Sequence, residues 1–204
     1  GDVYKRQYYS YKAKPEQQAS ARSNYVSGTN HEYPSLTIKG GTFEGGLNTV
    51  KNDDGATLTI ENGTFTNTAQ APVQNNHIAV IKDGTFTPQG IATHVVESKY
   101  SDATYDLGQT TISGGTFNGT LYFAGASPSL TISGGTFSDP HALDYLTAGA
   151  TNVNVRLLAD TELTKTVEMK QGTATFDLNG KRLTTTTAAL RPGTTADKGY
   201  TCAI

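Results

Sequence analysis

One phrase recurs five times along this 204-residue chain and narrows sharply what it can fold into. Leu36-Thr37-Ile38-Lys39-Gly40-Gly41-Thr42-Phe43 is followed by Leu58-Thr59-Ile60-Glu61-Asn62-Gly63-Thr64-Phe65 and by Ala79-Val80-Ile81-Lys82-Asp83-Gly84-Thr85-Phe86. The last two copies are Thr110-Thr111-Ile112-Ser113-Gly114-Gly115-Thr116-Phe117 and Leu130-Thr131-Ile132-Ser133-Gly134-Gly135-Thr136-Phe137. The phenylalanines are 22, 21, 31 and 20 positions apart, and in every copy Ile precedes Phe by five. A period of this size marks stacked supersecondary units.

Each copy has a physical reading. Leu36 and Ile38 are two apart and so share one face of a strand, while Thr37 faces the other way. Gly40-Gly41, Asn62-Gly63 and Asp83-Gly84 are corner dipeptides that tolerate positive φ. Beyond the corner, Phe43 begins a second short strand and points inward again. A third apolar patch follows in each period, at Val50, Val73, Val95-Val96 and Tyr122-Phe123. One period therefore holds about three short strands. An antiparallel array would turn alternate copies around, whereas a solenoid keeps every copy in the same phase. Constant phase favours the solenoid, with equivalent residues stacked about 4.8 Å apart. Ile38, Ile60, Ile81, Ile112 and Ile132 then form one internal ladder, and Phe43, Phe65, Phe86, Phe117 and Phe137 another. Burying one Phe stabilises by roughly 1.5–3 kcal/mol, enough for two ladders to hold a narrow core. On the outside, Lys39, Glu61 and Lys82 form a column of alternating sign.

Composition agrees. Leu, Ile, Val and Phe make up only 39 residues, a level that with strong net charge signals disorder, but the net charge is −2. The 33 Thr and 22 Gly favour short strands and tight turns. Balanced charge argues against nucleic acid, and no apolar run is long enough for membrane insertion as a helix. A single cysteine, Cys202, excludes an intrachain disulfide.

The Leu-Thr-Ile-x-Gly-Gly-Thr-Phe rungs over residues 24–140 resemble those of right-handed parallel β-helix proteins of pectin-lyase-like architecture. They are especially similar to repeat-rich, adhesin-like surface proteins of gut-type bacteria. The resemblance implies right-handedness and an extracellular or cell-surface setting. The expected fold is all-β, a parallel β-helix of roughly five to six coils, with a short helix near 140–147 and a further β segment behind it.

The flanks are less regular. Asp2-Val3-Tyr4-Lys5-Arg6-Gln7 resembles a translated transposase end sequence from library preparation, so residues 1–7 are set aside as an artefact. Residues 8–23, with Tyr8, Tyr9 and Tyr11, suit a degenerate N-terminal rung. Ser138-Asp139-Pro140 is a helix start signal, and the helix, within a linker of residues 141–150, is expected to cover the end of the stack. Alternation returns at Val153, Val155 and Leu157 and again at Phe176 and Leu178. Residues 151–204 are therefore expected to form a second solenoid segment, truncated at its end; a small separate β-domain is the other reading.

Chemistry is sparse. A lyase of this fold needs a calcium site and a basic proton abstractor, and an inverting hydrolase needs facing carboxylates. No Arg occurs between Arg22 and Arg156, and Asp83 occupies a turn position. Asp53-Asp54 is the most acidic pair in a corner and suits an Asx turn. His31, His77, His94 and His141 fall at unrelated phases, so no metal ligand set and no cofactor is expected. Ice binding through the Thr37 column is disfavoured because Val80 interrupts it. The informative place is where the repeat breaks. The 31-residue interval carries about ten extra residues near 97–108. Tyr100, Asp102, Tyr105 and Asp106 there combine aromatic faces with carboxylates, a pattern suited to polysaccharide or host-glycan hydroxyls. The expected function is a structural, display scaffold of a surface protein; the loop reads either as a solvated bulge without a ligand, which the residues favour, or as a glycan contact. The alternative is a fragment of a polysaccharide lyase or glycoside hydrolase.

Overall fold

The computed structural model describes residues 8–9, 34–52, 56–90, 94–99, 108–124 and 129–193. They form an all-β parallel solenoid of about six turns with almost no helix. Three sheets run along its length. The isoleucine sheet stacks Ser35–Ile38, Thr57–Ile60, Ile78–Ile81, Gln109–Ile112 and Ser129–Ile132. The phenylalanine sheet stacks Thr42–Glu44, Thr64–Asn67, Thr85–Pro88, Thr116–Phe117 and Gly134–Phe137, then continues through Asn152–Arg156 and Ala174–Asp177. The valine sheet stacks Asn48–Asn52, Ala71–Asn75, His94–Lys99 and Thr120–Ala124, with Tyr8–Tyr9 beside Val50 and Lys51. Every pairing is parallel, so consecutive repeats follow one another in the same direction.

The register matches the repeat. Ile38, Ile60, Ile81, Ile112 and Ile132 are mutual partners down one sheet. Phe43, Phe65, Phe86, Phe117 and Phe137 are partners down another, with centroids 4.8–4.9 Å apart and planes 6° from parallel. That distance is the strand spacing itself, so backbone pairing places the rings at stacking distance without adjustment. All but Ile38 and Phe43 are essentially inaccessible. Some of the corner glycines are closely approached by the backbone of the preceding coil. At Gly84 φ is +125°, and an added Cβ would lie 3.0 Å from the Gly63 carbonyl oxygen. At Gly114 a Cβ would overlap the Lys82 carbonyl oxygen. Asn62 and Asp83, at the equivalent positions, each accept a hydrogen bond from the following glycine N–H at 2.7 Å.

Two expectations are corrected. In the valine sheet, Val50, Val73 and Val96 are followed by Leu121, rather than by Tyr122. A β-bulge between His94 and Val96 inserts Val95 and shifts the pairing, so Tyr122 lies outside and is 38 % exposed. The helix is a 3-10 helix, Pro140–Tyr145, capped by Asp139. It does not cover the end of the stack. It stands in the valine-sheet column, where the Asp139 carboxylate accepts the Leu121 N–H at 3.0 Å, and the solenoid continues beyond it. The isoleucine column shrinks there to one bridge, Ile132 to Leu146. Farther on, two short sheets pair Thr161–Leu163 with Leu183–Thr185 and Val167–Met169 with Leu190–Pro192.

Candidate functional site

Tyr100, Asp102, Tyr105 and Asp106 lie outside the described residues, as do Asp53 and Asp54. Their platform is described. The strand His94–Lys99 leads into the long interval and is paired on both sides, to Ala71–Asn75 and to Thr120–Ala124. At its start the bulge buries both Val95 and Val96 and leaves His94 half-buried on the outside. The His94 ring stacks on Tyr122, with centroids 4.5 Å apart and planes 17° from parallel. Its Nδ1 lies 2.9 Å from Glu97 Oε1, and Glu97 is buried. In neutral His94 the Nδ1–H donates to this carboxylate, which fixes the tautomer and leaves Nε2 as an acceptor. The imidazole and the Tyr122 ring thus form an oriented aromatic pair where the repeat is broken. Sequence reasoning found the region but not the pair: the doubled Val95-Val96 marks the irregularity, but which side chains meet outside it depends on the neighbouring coil.

A second polar cluster surrounds the 3-10 helix. His141 Nδ1 lies 2.7 Å from Asp144 Oδ2, and the other Asp144 oxygen accepts the Glu168 N–H at 2.5 Å. Residues three apart eclipse on a 3-10 helix, which brings His141 and Asp144 together. Glu168 in turn pairs with Arg191, and with Lys170 at 3.6 Å. Tyr145 packs tilted against Phe123, and its phenol is held above the ordinary value by burial, then by Asp144 and Asp139. The carboxylates here bond backbone N–H groups of neighbouring coils, so the cluster ties coils together.

Buried asparagines form a third set. Asn52 Nδ2 donates to the Ala56 and Ile78 carbonyls and to Asn75 Oδ1. Asn75 repeats this one coil on, donating to the Gln109 carbonyl at 2.9 Å and to Thr110 Oγ1 at 3.0 Å. Asn67 does similar work at the opposite corner, with the Gly45 and Gly46 carbonyls. These amides satisfy backbone groups that the corners leave without ladder partners. Their sequence signal is the recurrence of Asn two residues after Val50 and Val73.

A shallow surface depression is lined by Asp160, Thr161, Glu162, Arg182 and Thr184. Its charged groups are engaged: Asp160 Oδ1 accepts the Arg182 N–H at 2.9 Å, and Glu162 Oε1 accepts the Thr186 hydroxyl at 3.2 Å. Among the described residues no group of three or more His, Cys, Asp and Glu is placed to hold a metal ion. Comparisons with protein-family models, with characterised proteins and with solved structures return no match. The fold is that of a parallel β-solenoid.

Proposed function

We propose that this chain is a rigid spacer in a bacterial surface protein, displaying other modules and contacting glycan where the repeat is broken. The observation that carries the reading is the constancy of the phenylalanine ladder. Its spacing stays at 4.8–4.9 Å whether 20 or 31 residues separate the rings. Axial rise is decoupled from what each coil carries sideways, as a display rod requires. A surface-display assay tests this. The chain is inserted between a wall anchor and a reporter, with residues 57–77 deleted or duplicated. Access of an antibody-coated bead to the reporter should fall with the deletion and rise with the duplication. Access independent of coil number would sink the spacer reading. Release of unsaturated products from polyuronides would replace it with the lyase alternative.

The glycan contact is supported by the His94–Tyr122 pair beside the long interval. Sugar rings pack on aromatic groups and exchange hydrogen bonds with imidazole and carboxylate groups. On a glycan array, Tyr122→Ala and Tyr100→Ala/Tyr105→Ala should each reduce binding. Unchanged binding in all of these variants would exclude this region.

A further inference from the structure

Among the described residues, the coil of residues 174–193 holds one edge of the rod that has no strand paired to it. Its strands Ala174–Asp177, Leu183–Thr185 and Leu190–Pro192 are each bonded on one side only, to the coil of residues 152–173, among the described residues. Unpaired strand edges are templates for strand addition. Phe176 and Leu183 are half-buried there, and Leu178 and Leu190 are 44 % and 38 % exposed, so the edge carries apolar surface too.

The charges on that edge follow a rule. Arg156 and Asp177 are register partners with an ion pair at 3.4 Å, and Glu168 and Arg191 are register partners that also pair. The Asp160 carboxylate and the Arg182 guanidinium approach to 4.0 Å, and the same carboxylate accepts the Arg182 backbone N–H. The column of Lys39, Glu61 and Lys82 alternates in the same way, with Lys82 at 3.3 Å from Glu61. In each of these cross-coil pairs the two coils carry opposite signs. Asp177, Arg182 and Arg191 therefore set the pattern that the next neighbour must satisfy.

We infer that this edge docks a further β-coil that places a cation opposite Asp177 and carboxylates opposite Arg182 and Arg191. Like charges directly opposite one another in a sheet destabilise it, so the edge rejects a coil of its own pattern and accepts the complementary one. A coil that slips by one residue loses these pairs and turns its apolar side chains outward, so charge and hydrophobic pattern select the same register. A coil with the required signs exists in this chain: residues 152–173 carry Arg156, Asp160 and Glu168 at the matching positions.

The probe is therefore a fluorescent peptide of residues 152–173 added to the full chain. Saturable binding is expected by anisotropy. The peptide with Arg156→Glu, Asp160→Lys and Glu168→Lys should bind at least about tenfold more weakly, from three opposed like-charge pairs. A second protein variant guards against simple unfolding. It combines those three substitutions with Asp177→Lys, Arg182→Glu and Arg191→Glu, so its internal pairs are inverted but kept. With an unchanged circular dichroism spectrum, it should prefer the inverted peptide. No binding of the native peptide, or equal binding of both peptides to both proteins, would overturn the inference. Self-association of the chain that the peptide does not displace would assign the edge to a second copy and also overturn it. These outcomes are independent of glycan binding and of reporter display.

Discussion

Phe86 and Phe117 stack with centroids 4.8 Å apart and planes 6° from parallel, although 31 positions separate them in the chain. Phe65 and Phe86, 21 positions apart, have the same geometry. The extra residues leave the ladder untouched, because each coil is fixed by its neighbours' backbone and loop closure costs rise slowly with length. Replacing residues 100–107 with a short Gly-Ser link should shift the thermal midpoint by no more than about 4 °C, the scale of a 1 kcal/mol change in a chain this size. Glycan binding should disappear in the same variant. A collapse of the thermal transition would show that the loop holds the fold.

The ladder makes a graded prediction. Phe86 is fully buried, whereas Phe176, near the unpaired edge, is half-buried. Phe86→Ala should cost about 3–5 kcal/mol and Phe176→Ala less than half of that, by urea unfolding. Equal costs would mean that the rings do not act as a stacked core.

Gly40 and Gly114 occupy the same position in two copies of the repeat, yet a Cβ on Gly40 meets nothing within 4 Å. On Gly114 it would overlap the Lys82 carbonyl oxygen of the preceding coil. Gly114→Ala should cost about 1–3 kcal/mol, as overpacking does, while Gly40→Ala should be neutral or slightly stabilising. Equal effects would contradict the close approach of the coils.

Tyr145 gives a pH dependence. Burial, then Asp144 and Asp139, raises its phenol above the ordinary value near 10. As pH climbs past that value the unfolded chain loses the proton first, so the folded state binds more protons and stability falls. Stability measured from pH 8 to 11 should decline more steeply in the native chain than in Tyr145→Phe. Parallel profiles would remove Tyr145 from this role.

The rungs are legible in the sequence because their physics is local and repeated. Ile38 and Phe43 fall at a fixed offset, and a corner glycine separates them in each copy. Solenoid architecture, strand direction and both ladders come from that. The valine column is legible as far as Val96 and is lost at Leu121, because a bulge at Val95 changes register without changing composition. The burial of Asn52 and Asn75 depends on facing the next coil's backbone, which a single strand does not reveal. The Pro140 start signal gives the helix its place, but its role depends on the strands beyond it. Only pairing of Gly134–Phe137 with Asn152–Arg156 shows the rod passing it. Of the site, the broken interval is visible in sequence, while the His94–Tyr122 contact requires two coils to be stacked.

The 3-10 helix has a consequence for cooperativity. At Pro140–Tyr145 the valine sheet stops and the isoleucine sheet narrows to the Ile132–Leu146 bridge, leaving the phenylalanine sheet as the one continuous ladder among the described residues. A break in unfolding there severs one ladder and a few ties to the helix region, Asp144 to the Glu168 N–H and Gln171 to the Leu146 carbonyl, instead of three ladders. Hydrogen exchange should then show residues 152–193 opening to solvent deuterium before the five earlier rungs. Simultaneous opening of both stretches would mean that the helix and the phenylalanine ladder couple them into one unit.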